Sequence, residues 1–329
     1  MKIAPVIIFN YNRPDHSLQV WESLSQNELA KGTELYLYCD GPKVNATDEM
    51  RKRIAELHAQ AKQYAIDAQK AGKFKSVHVV CAEKNKGLAN SIIGGVSEVI
   101  AQHGRVIVLE DDLLTSPYFL TYMNEALDFY EKRPAVMSIA ANRPPLSKFE
   151  IPEDYEYDVF VNLAGYSTGW ATWKDRWERV DWSMDYLPSF SKKPSEVEAF
   201  RRLGDNVYDM LWLQYYGKID SWAVRFCYAH FKEHCVGILP CKSYVDNIGF
   251  DGTGVHSGTN TTDLFRNDLS QSVQHCRFPE NLYEDKRIIN AMCNYGSTAK
   301  RPIWQKIINR LFRMCGKKSP FVIKKKVYA

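Results

Sequence analysis

Four aliphatic residues, Val106 to Leu109, lead directly into three consecutive acids, Glu110, Asp111 and Asp112. A short continuous aliphatic run predicts a strand that is buried on both faces, as in the parallel sheet of an α/β protein. In open α/β sheets the ligand crevice lies beyond the carboxyl ends of the strands, so these acids are expected beside a ligand. Adjacent carboxylates repel one another, and a divalent cation that also holds an anionic ligand would stabilise them.

A solvated acidic turn is the alternative interpretation of these three residues. In that case they would precede a helix for which Ser116 is the N-cap and Pro117 the first helical residue. The position of the other polar clusters, considered below, favours a ligand site.

The first half of the chain alternates short aliphatic runs with longer segments of helical periodicity. This alternation predicts βαβ units, an α/β fold with a mixed, mainly parallel sheet flanked by helices. Gly72 is placed to end the first of the predicted helices. The predicted strands span 5–9, 35–39, 77–80, 106–109 and 136–140, and the predicted helices span 48–71, 88–101 and 118–132.

After about Pro144 the sequence becomes rich in aromatic residues and glycine, and its periodicity weakens. No linker separates the two parts, so we expect the second half to pack over the first sheet. We therefore expect one domain over 1–299, with halves at 1–143 and 144–299, and a separate tail over 300–329.

Bulk composition excludes several classes of protein. A content of 45% hydrophobic and 25% charged residues is ordinary for a soluble globular chain. The first apolar run has no signal-peptide cleavage site after it and is predicted to be a strand. No stretch reaches the roughly 18 apolar residues of a membrane span. The eight cysteines are scattered without a CxxC pair, which argues against a zinc site or a disulfide framework and favours a reducing cytoplasm.

The C-terminal tail carries the positive charge of the chain. Ten Lys and Arg residues and no acid follow from position 300, although the formal net charge of the whole chain is only +4. Residues 303–314 place apolar side chains at helical spacing with cations between them, as in a helix that lies on an anionic membrane. A helix that docks on the protein's own body is the alternative. Nucleic-acid binding is not expected, because the rest of the chain is net acidic and has no recognition motif.

Polar clusters also follow the other predicted strands of the first half. The first cluster offers amides and a guanidinium, the second a carboxylate suited to a uracil N–H or a ribose hydroxyl, and the third a cation and a helix N-terminus. Each alone is an ordinary loop, but together they outline one polar crevice. The candidate binding residues are Asn10, Asn12, Arg13, Asp40, Lys86, Gly87 and Asn90.

This layout resembles that of the nucleotide-sugar glycosyltransferases of GT-A fold. The shared features are the Asn and Arg-Pro turn, the later Asp-Gly, the Asn-x-Gly-x-x-Asn segment, and a strand that ends in a variant of the Asp-x-Asp motif. That variant, Glu110-Asp111-Asp112, is similar to the Glu-Asp-Asp of the N-acetylglucosaminyltransferase I group. The resemblance covers about the first 140 residues; beyond them, Gly169-Trp170-x-x-Trp173 and Asp220-Ser221-Trp222 resemble acceptor-side segments of bacterial polysaccharide glycosyltransferases.

The resemblance implies a donor site in the first half and an acceptor site in the second. Asp112 would bind Mn²⁺ or Mg²⁺ that bridges the diphosphate of a nucleotide sugar, with UDP favoured, while Asp111 and Glu110 would hold ribose or sugar hydroxyls. The reaction implied is metal-dependent, inverting transfer to a glycan or lipid-linked acceptor in bacterial surface polysaccharide synthesis. The tail would hold the enzyme peripherally at the inner face of the cytoplasmic membrane.

An inverting transferase needs a base that deprotonates the acceptor hydroxyl. We favour Asp220, which is close in sequence to Trp222, and take Asp175 as second choice; a plain helix cap is the alternative role for Asp220. His256, in a glycine-rich stretch, is a candidate second ligand of the metal or the diphosphate. Of the tryptophans at 170, 173, 177, 182 and 222, we expect one or two to touch the acceptor and the rest to be core.

Two other functions are compatible with these features. A sugar nucleotidyltransferase would normally carry a glycine-rich loop after the first strand, and Asn10 to Pro14 has no glycine. A non-catalytic carbohydrate-binding or membrane scaffold protein would have no need of clustered acids at a strand end.

Overall fold

The computed structural model describes residues 1–144, 150–204, 206–251, 266–296 and 303–314. The strands in these segments are β1 (Val6–Asn10), β2 (Glu34–Cys39), β3 (Ser76–Cys81), β4 (Arg105–Glu110), β5 (Leu113–Thr115), β6 (Val136–Ala140), β7 (Val159–Asn162), β8 (Trp170–Trp173), β9 (Val236–Pro240) and β10 (Val245–Asn247). The helices are α1 (Pro14–Ser25), α2 (Asp48–Lys70), α3 (Leu88–His103), α4 (Phe119–Tyr130), α5 (Lys174–Trp177), α6 (Leu187–Phe190), α7 (Pro194–Arg201), α8 (Val207–Tyr215), α9 (Trp222–Lys232), α10 (Lys286–Gly296) and α11 (Ile303–Met314).

Within the described segments, eight strands form one sheet in the order β3-β2-β1-β4-β8-β6-β9-β7. Strands β8 and β7 run antiparallel to their neighbours, and the other pairings in the sheet are parallel. The predicted α/β class with a mixed, mainly parallel sheet flanked by helices is therefore confirmed. A separate antiparallel pair is formed by β5 and β10.

The strand order reverses beside β1. The chain moves outward from β1 to β2 and β3, and then returns through α3 to place β4 on the other side of β1. A crevice opens at such a reversal because the connections from two adjacent strands leave in opposite directions, and ligands of open α/β sheets bind there. The carboxyl ends of β1 and β4 are thus the expected binding edge.

The two central strands are apolar because helices cover both of their faces. Ile7, Phe9, Val106 and Val108 belong to the cluster on the side of α3 and α9. The alternate residues of β1 and β4 belong to the larger cluster that includes α1, α2 and α4. Gly95 of α3 has no room for a side chain, since an added Cβ would lie 2.9 Å from the Phe9 ring. The sheet is therefore held rigidly behind its polar edge.

The predicted strands and the three predicted helices of the first half are present, with bounds that differ by no more than about two residues. Gly72 follows the end of α2 in a left-handed conformation, as expected from its position. One detail is wrong: Ser116 and Pro117 do not begin the next helix. They form a turn before it, in which the Phe119 N–H donates to the Ser116 carbonyl oxygen, and Tyr118 is the N-cap residue.

The second half contributes strands to the same sheet as well as covering helices. Its tryptophans lie mainly in the core: Trp170, Trp173, Trp177 and Trp222 are each at most 3% exposed. The rings of Trp170 and Trp222 stack with their centroids 4.7 Å apart. Large buried rings stabilise the packing of β8 against α9, so most of this aromatic segment is structural.

Helix α11 has a buried and an exposed side. Asn309 is fully buried, whereas Ile307, Leu311 and Phe312 are 54%, 55% and 40% exposed, and Trp304 is 53% exposed. These four apolar residues recur at positions i, i+3, i+7 and i+8, which places them along one face of the helix. Among the described residues, no helix is both long enough and apolar enough to cross a membrane.

Candidate active site

The polar clusters predicted at the strand ends lie along one edge of the sheet. Phe9 of β1 is in register with Glu110 of β4, and Asn10 is in register with Cys39 of β2. Cys39 is in turn in register with Cys81 of β3. The loops that begin after these residues therefore emerge side by side from four parallel strands, as the sequence predicted.

Arg13 lies between the two aspartates of the acidic tip of β4. Its Nη2 donates to Asp111 Oδ1 and, at 3.0 Å, to Asp112 Oδ2. The Arg13 and Asp112 side chains are only 12% and 18% exposed, and that of Asp111 is 7% exposed. Arg13 Nη1 is buried without a hydrogen-bond partner among the described residues. This nitrogen therefore carries a donor that no described residue satisfies.

One guanidinium does not balance the charge of three carboxyl groups. Burial and the nearby charges of Asp112 and Asp111 raise the pKa of Glu110 to about 8. Burial and Asp111 also raise the pKa of Asp112, although Arg13 acts in the opposite direction. Burial opposes the charge on Arg13, but the two aspartates outweigh it and raise the pKa of the guanidinium. Such an excess of negative charge favours a further cation or a bound proton.

The segment after β10 closes over Asp112. The Ile248 N–H donates to the Asp112 carbonyl oxygen at 2.9 Å. A Cβ on Gly249 would lie 2.3 Å from Asp112 Oδ2 and 2.9 Å from Arg13 Nη1, so only glycine fits beside the carboxylate. The sequence did not reveal this contact, since nothing local to Gly249 indicates which residue it meets.

Asp40 joins the ends of β2 and β3. Its Oδ1 accepts from the Lys86 N–H at 2.9 Å, and its Oδ2 accepts from Asn85 Nδ2 at 2.8 Å. Tyr11 lies nearby, and burial followed by the charge of Asp40 raises the pKa of its phenol. The structure thus brings Asp40 and Lys86 together, as predicted, and adds Tyr11 and Asn85 to the cluster.

Asp220 reaches the N-terminus of α3. Its Oδ2 accepts from the Ala89 N–H at 3.2 Å, which satisfies one of the unpaired donors of the first helical turn. Gly87, the N-cap residue, has a φ of 80° and a Cβ there would lie 2.7 Å from Asp220 Oδ2. Asp220 therefore caps a helix, but α3 rather than the α9 that follows it. Lys86, Gly87 and Asn90 surround this position, and Asn90 Nδ2 donates to the Lys86 carbonyl oxygen.

Two of the predicted amide groups are already used within the protein. Asn10 is 4% exposed; its Nδ2 donates to the Ile8 and Tyr38 carbonyl oxygens and its Oδ1 accepts from Trp21 Nε1. Asn12 is 9% exposed and donates to the sulfur of Met50. Both side chains shape the turn around Arg13, and the structure does not present the amide of Asn10 to a ligand.

Asp175 lies at the opposite edge of the sheet, which removes it from the candidate site. Trp173 is in register with Arg105 at the start of β4, and the Lys174 N–H donates to the Gly104 carbonyl oxygen. The Asp175 side chain is 63% exposed and pairs with Arg176. Its nearness in sequence to Trp170 is misleading, because β8 runs antiparallel to β4 and carries the chain away from the acids.

Asn142 and Arg143 were not recognised as site residues from the sequence. Asn142 is the second residue after the end of β6, which runs parallel to β4 two strands away, so both residues emerge at the same edge. Arg143 is 7% exposed, and burial lowers its pKa. Asn142 accepts from the Ser243 hydroxyl at 2.7 Å, which ties this loop to the segment that leads to Gly249. Because polar residues that follow a parallel strand lie at the binding edge, the sequence could have predicted both residues from their position after β6.

A cavity of about 100 Å³ opens beside the start of α9. It is lined by Gly165, Tyr166, Ser167, Trp222, Ala223, Phe226 and Cys227. Trp222 thus borders this cavity, next to the segment that carries Asp220.

His256 lies outside the described residues. Among the residues that are described, no group of three or more His, Cys, Asp or Glu side chains is arranged to hold a metal ion. A divalent cation need not have three protein ligands, since one or two carboxylates can hold it together with phosphate oxygens and water. This is the usual arrangement for Mg²⁺.

No family model matches the chain, and no curated protein matches it. Several solved structures are similar to it. The S. aureus TarS structure has 17% identity over 48% of this chain and 25% of TarS, with a TM-score of 0.32. A shorter form, S. aureus TarS 1-349, has 13% identity over 74% of this chain and 60% of that one, with a TM-score of 0.40.

The TarS form solved in complex with UDP-GlcNAc has 17% identity over 48% of this chain and 39% of that one, with a TM-score of 0.32. An active-site mutant of LgtC has 11% identity over 56% of this chain and 64% of that one, with a TM-score of 0.33. In each case the match spans less than two thirds of the solved structure's own length.

Proposed function

We propose that this protein is a glycosyltransferase that moves a sugar from a nucleotide-diphosphate sugar to a glycan or lipid-linked acceptor. The observation that supports this is the acidic tip, Glu110 to Asp112, at the crevice between β1 and β4, with Arg13 as its counter-ion. A site for a diphosphate needs cations beside it and a carboxylate that can hold a metal ion.

Asp112 is the proposed ligand of Mn²⁺ or Mg²⁺. The residues fit such a cation, because burial and the charge of Asp111 raise the pKa of Asp112 despite the presence of Arg13. When bound, the cation would neutralise the charge that develops on the departing diphosphate. His256 is proposed as an additional ligand of the metal or the diphosphate.

Arg13 is the proposed phosphate contact. Its second terminal nitrogen is buried and has no partner among the described residues, so a phosphate oxygen could accept from it. The ammonium of Lys86, beside the N-terminus of α3 that Asp220 caps, provides a second positive charge on the same edge. Asp40, which follows β2, lies between these two charges in strand order, and Tyr11 is near it. We assign both residues to the nucleoside, with uridine favoured.

Asp220 is the proposed catalytic base of an inverting transfer. The acceptor hydroxyl oxygen would form a bond to the anomeric carbon as the bond to the diphosphate breaks, and the hydroxyl proton would pass to the Asp220 carboxylate. The support is its position at the binding edge, next to Gly87. The cavity bordered by Trp222 is the proposed place for part of the acceptor.

The exposed face of α11 is proposed to bind an anionic membrane surface. Ile307, Leu311 and Phe312 are exposed on a helix that carries Arg310 on its surface. Apolar side chains flanked by cations bind the boundary between acyl chains and anionic headgroups. This contact would bring the site to lipid-linked acceptors.

A donor panel tests the proposed activity. The protein is heated with UDP-GlcNAc and other nucleotide sugars, with and without Mn²⁺, and the melting temperature is measured. We expect one nucleotide sugar to raise the melting temperature only when Mn²⁺ is present, and slow metal-dependent hydrolysis of that donor in the absence of acceptor. Stabilisation by nucleoside triphosphates and sugar phosphates instead would indicate a nucleotidyltransferase, and no response to any nucleotide would overturn the proposal.

A further inference from the structure

Two cysteines lie side by side at the ends of adjacent strands. Cys39 is the last residue of β2, Cys81 is the last residue of β3, and the two are register partners in a parallel ladder. Cys39 belongs to the hydrophobic cluster on the α2 side of the sheet and Cys81 packs against that cluster, so their side chains point to the same face. The sequence spacing of 42 residues conceals this contact.

The register gives the two cysteines a backbone spacing that a disulfide accepts. Register partners on neighbouring strands have Cα atoms about 4.8 Å apart, and disulfides accept Cα separations of about 4.4 to 6.8 Å. A shift of about 1 Å at the two strand ends, rather than a rearrangement of the fold, lets the two sulfurs meet.

The two thiols differ in exposure and in charge environment. Cys39 is 2% exposed, whereas Cys81 is partly exposed. The neighbouring Cys39 thiol, assisted by the charges of His58 and Lys62 of α2, lowers the pKa of Cys81 below its ordinary value, although burial acts in the opposite direction. The Cys81 sulfur is therefore the more nucleophilic and the more accessible of the two at neutral pH.

We propose that Cys39 and Cys81 form a peroxide-reactive thiol pair that closes reversibly to an intramolecular disulfide. The Cys81 thiolate attacks one oxygen of hydrogen peroxide, the O–O bond breaks, and hydroxide leaves and takes up a proton, which gives a sulfenic acid. The Cys39 thiol then attacks this sulfur, the S–S bond forms, and the sulfenic oxygen leaves as water with the Cys39 proton. Two thiols and one peroxide thus give one disulfide and two water molecules.

The pair is coupled directly to the nucleotide edge of the sheet. Asp40 follows Cys39, and the Ala82 N–H after Cys81 donates to the Cys39 carbonyl oxygen at 2.9 Å. A disulfide brings the two Cβ atoms to about 3.8 Å, roughly 1 Å closer than the normal strand spacing. The two strand ends would then move together and displace Asp40 from Lys86 and Asn85. Resting on the proposed function, we infer that oxidation weakens nucleotide binding.

Peptide mapping of the intact protein tests the chemistry without reference to function. The protein is treated with hydrogen peroxide at pH 7, its remaining thiols are alkylated, and the rate of thiol loss at each cysteine is followed by mass spectrometry. We expect a peptide that joins Cys39 to Cys81, reversed by dithiothreitol. Loss of the Cys81 thiol should be about tenfold or more faster than that of Cys241, because burial raises the pKa of Cys241 to about 12. Equal rates of thiol loss at Cys81 and Cys241, or the absence of a peptide that joins Cys39 to Cys81, would overturn the proposal.

Variants identify the attacking thiol. Cys39→Ser should leave Cys81 as a sulfenic acid that dimedone labels, whereas Cys81→Ser should leave Cys39 unlabelled. Cys241→Ser is the matched control and should form the same disulfide as the wild type. Label on Cys39 in the Cys81→Ser variant would contradict the assigned roles.

Nucleotide affinity is then compared between the reduced and oxidised protein. We expect oxidation to lower the affinity for the nucleotide about fivefold or more, and dithiothreitol to restore it. A disulfide that forms without any change in affinity would overturn the coupling. If the reduced protein binds no nucleotide, the proposed function fails, while the peptide map still decides whether the thiol pair exists.

Discussion

The Arg13 guanidinium donates to Asp112 Oδ2 at 3.0 Å in a largely buried pair. The carboxylate proposed to hold a divalent cation is therefore already paired with a cation from the protein itself. This ion pair predicts that a metal ion and Arg13 compete for Asp112. A metal ion bound to Asp112 would supply part of the positive charge that Arg13 now supplies. The guanidinium could then bind a phosphate.

Arg13→Gln removes the cation from the acidic tip. Because a buried carboxylate pair then lacks its counter-ion, we expect the free energy of unfolding to fall by about 3 kcal/mol, and Mn²⁺ to restore a part of that loss. Urea denaturation with and without Mn²⁺ measures both effects. Arg53→Gln, whose side chain is 51% exposed, is the control and should change stability little. If Mn²⁺ raised the free energy of unfolding of both variants equally, the proposed replacement of Arg13 by a metal ion at Asp112 would be contradicted.

Asp220→Asn tests the proposed base. An amide oxygen can still accept from the Ala89 N–H, so the cap of α3 is retained, but an amide cannot take the acceptor proton. We expect kcat for transfer to fall about 100-fold or more while the donor dissociation constant changes less than about twofold. Asp175→Asn, at the opposite edge of the sheet, should transfer at the wild-type rate. Normal turnover by the Asp220 variant would remove that residue from the role.

The buried imidazole of His230 leads us to expect that the free energy of unfolding falls at acid pH. It is fully buried; its Nδ1 donates to the Phe226 carbonyl oxygen and its Nε2 accepts from the Ser138 hydroxyl. Burial lowers its pKa to about 4, below the ordinary value of 6.5 in the unfolded chain. Between these two values the unfolded chain binds the extra proton, so the stabilisation present above pH 6.5 is lost as the pH falls.

The expected loss of unfolding free energy from this group is about 2 kcal/mol between pH 7 and pH 5. Urea denaturation at several pH values measures it. His230→Gln should be less stable at pH 7 and should show a shallower pH dependence in this range. An unchanged slope in the variant would mean that another group titrates.

Deletion of the residues after Pro302 tests the membrane proposal. The full chain should sediment with vesicles that contain phosphatidylglycerol and should remain in the supernatant with pure phosphatidylcholine, because both apolar and electrostatic contacts are needed. The shortened chain should stay in the supernatant with either. Equal sedimentation of both chains would show that α11 is not the contact.

Much of the first half could be predicted from the sequence because its signals are local. The aliphatic runs of β1 and β4 and the periodicity of α2 each identify an element on their own, and parallel strands bring their ends to one edge. The ion pair between Arg13 and Asp112 could not be predicted in this way. The sequence assigns each residue separately to a ligand, and no local pattern shows that the two side chains contact each other.

The second half could not be predicted because its placement depends on long-range pairing. Trp170 and Asp175 are five residues apart, yet β8 runs antiparallel to β4 and places them toward opposite edges. Asp220 reaches α3 across 131 residues of chain. Nearness in sequence to the tryptophans therefore did not indicate the edge of the sheet at which Asp175 lies. Nor did it indicate that Asp220 caps α3.

The affinity for UDP in the presence and absence of Mn²⁺, compared between the wild type and Asp112→Ala, tests the central claim most directly. Asp67→Asn, on the exposed face of α2, is the control, and thermal unfolding shows whether each variant is folded. We expect Mn²⁺ to increase UDP affinity about tenfold or more in the wild type and the control, and to have no effect in the Asp112 variant. A folded Asp112→Ala protein whose UDP affinity still rises with Mn²⁺ would contradict the account.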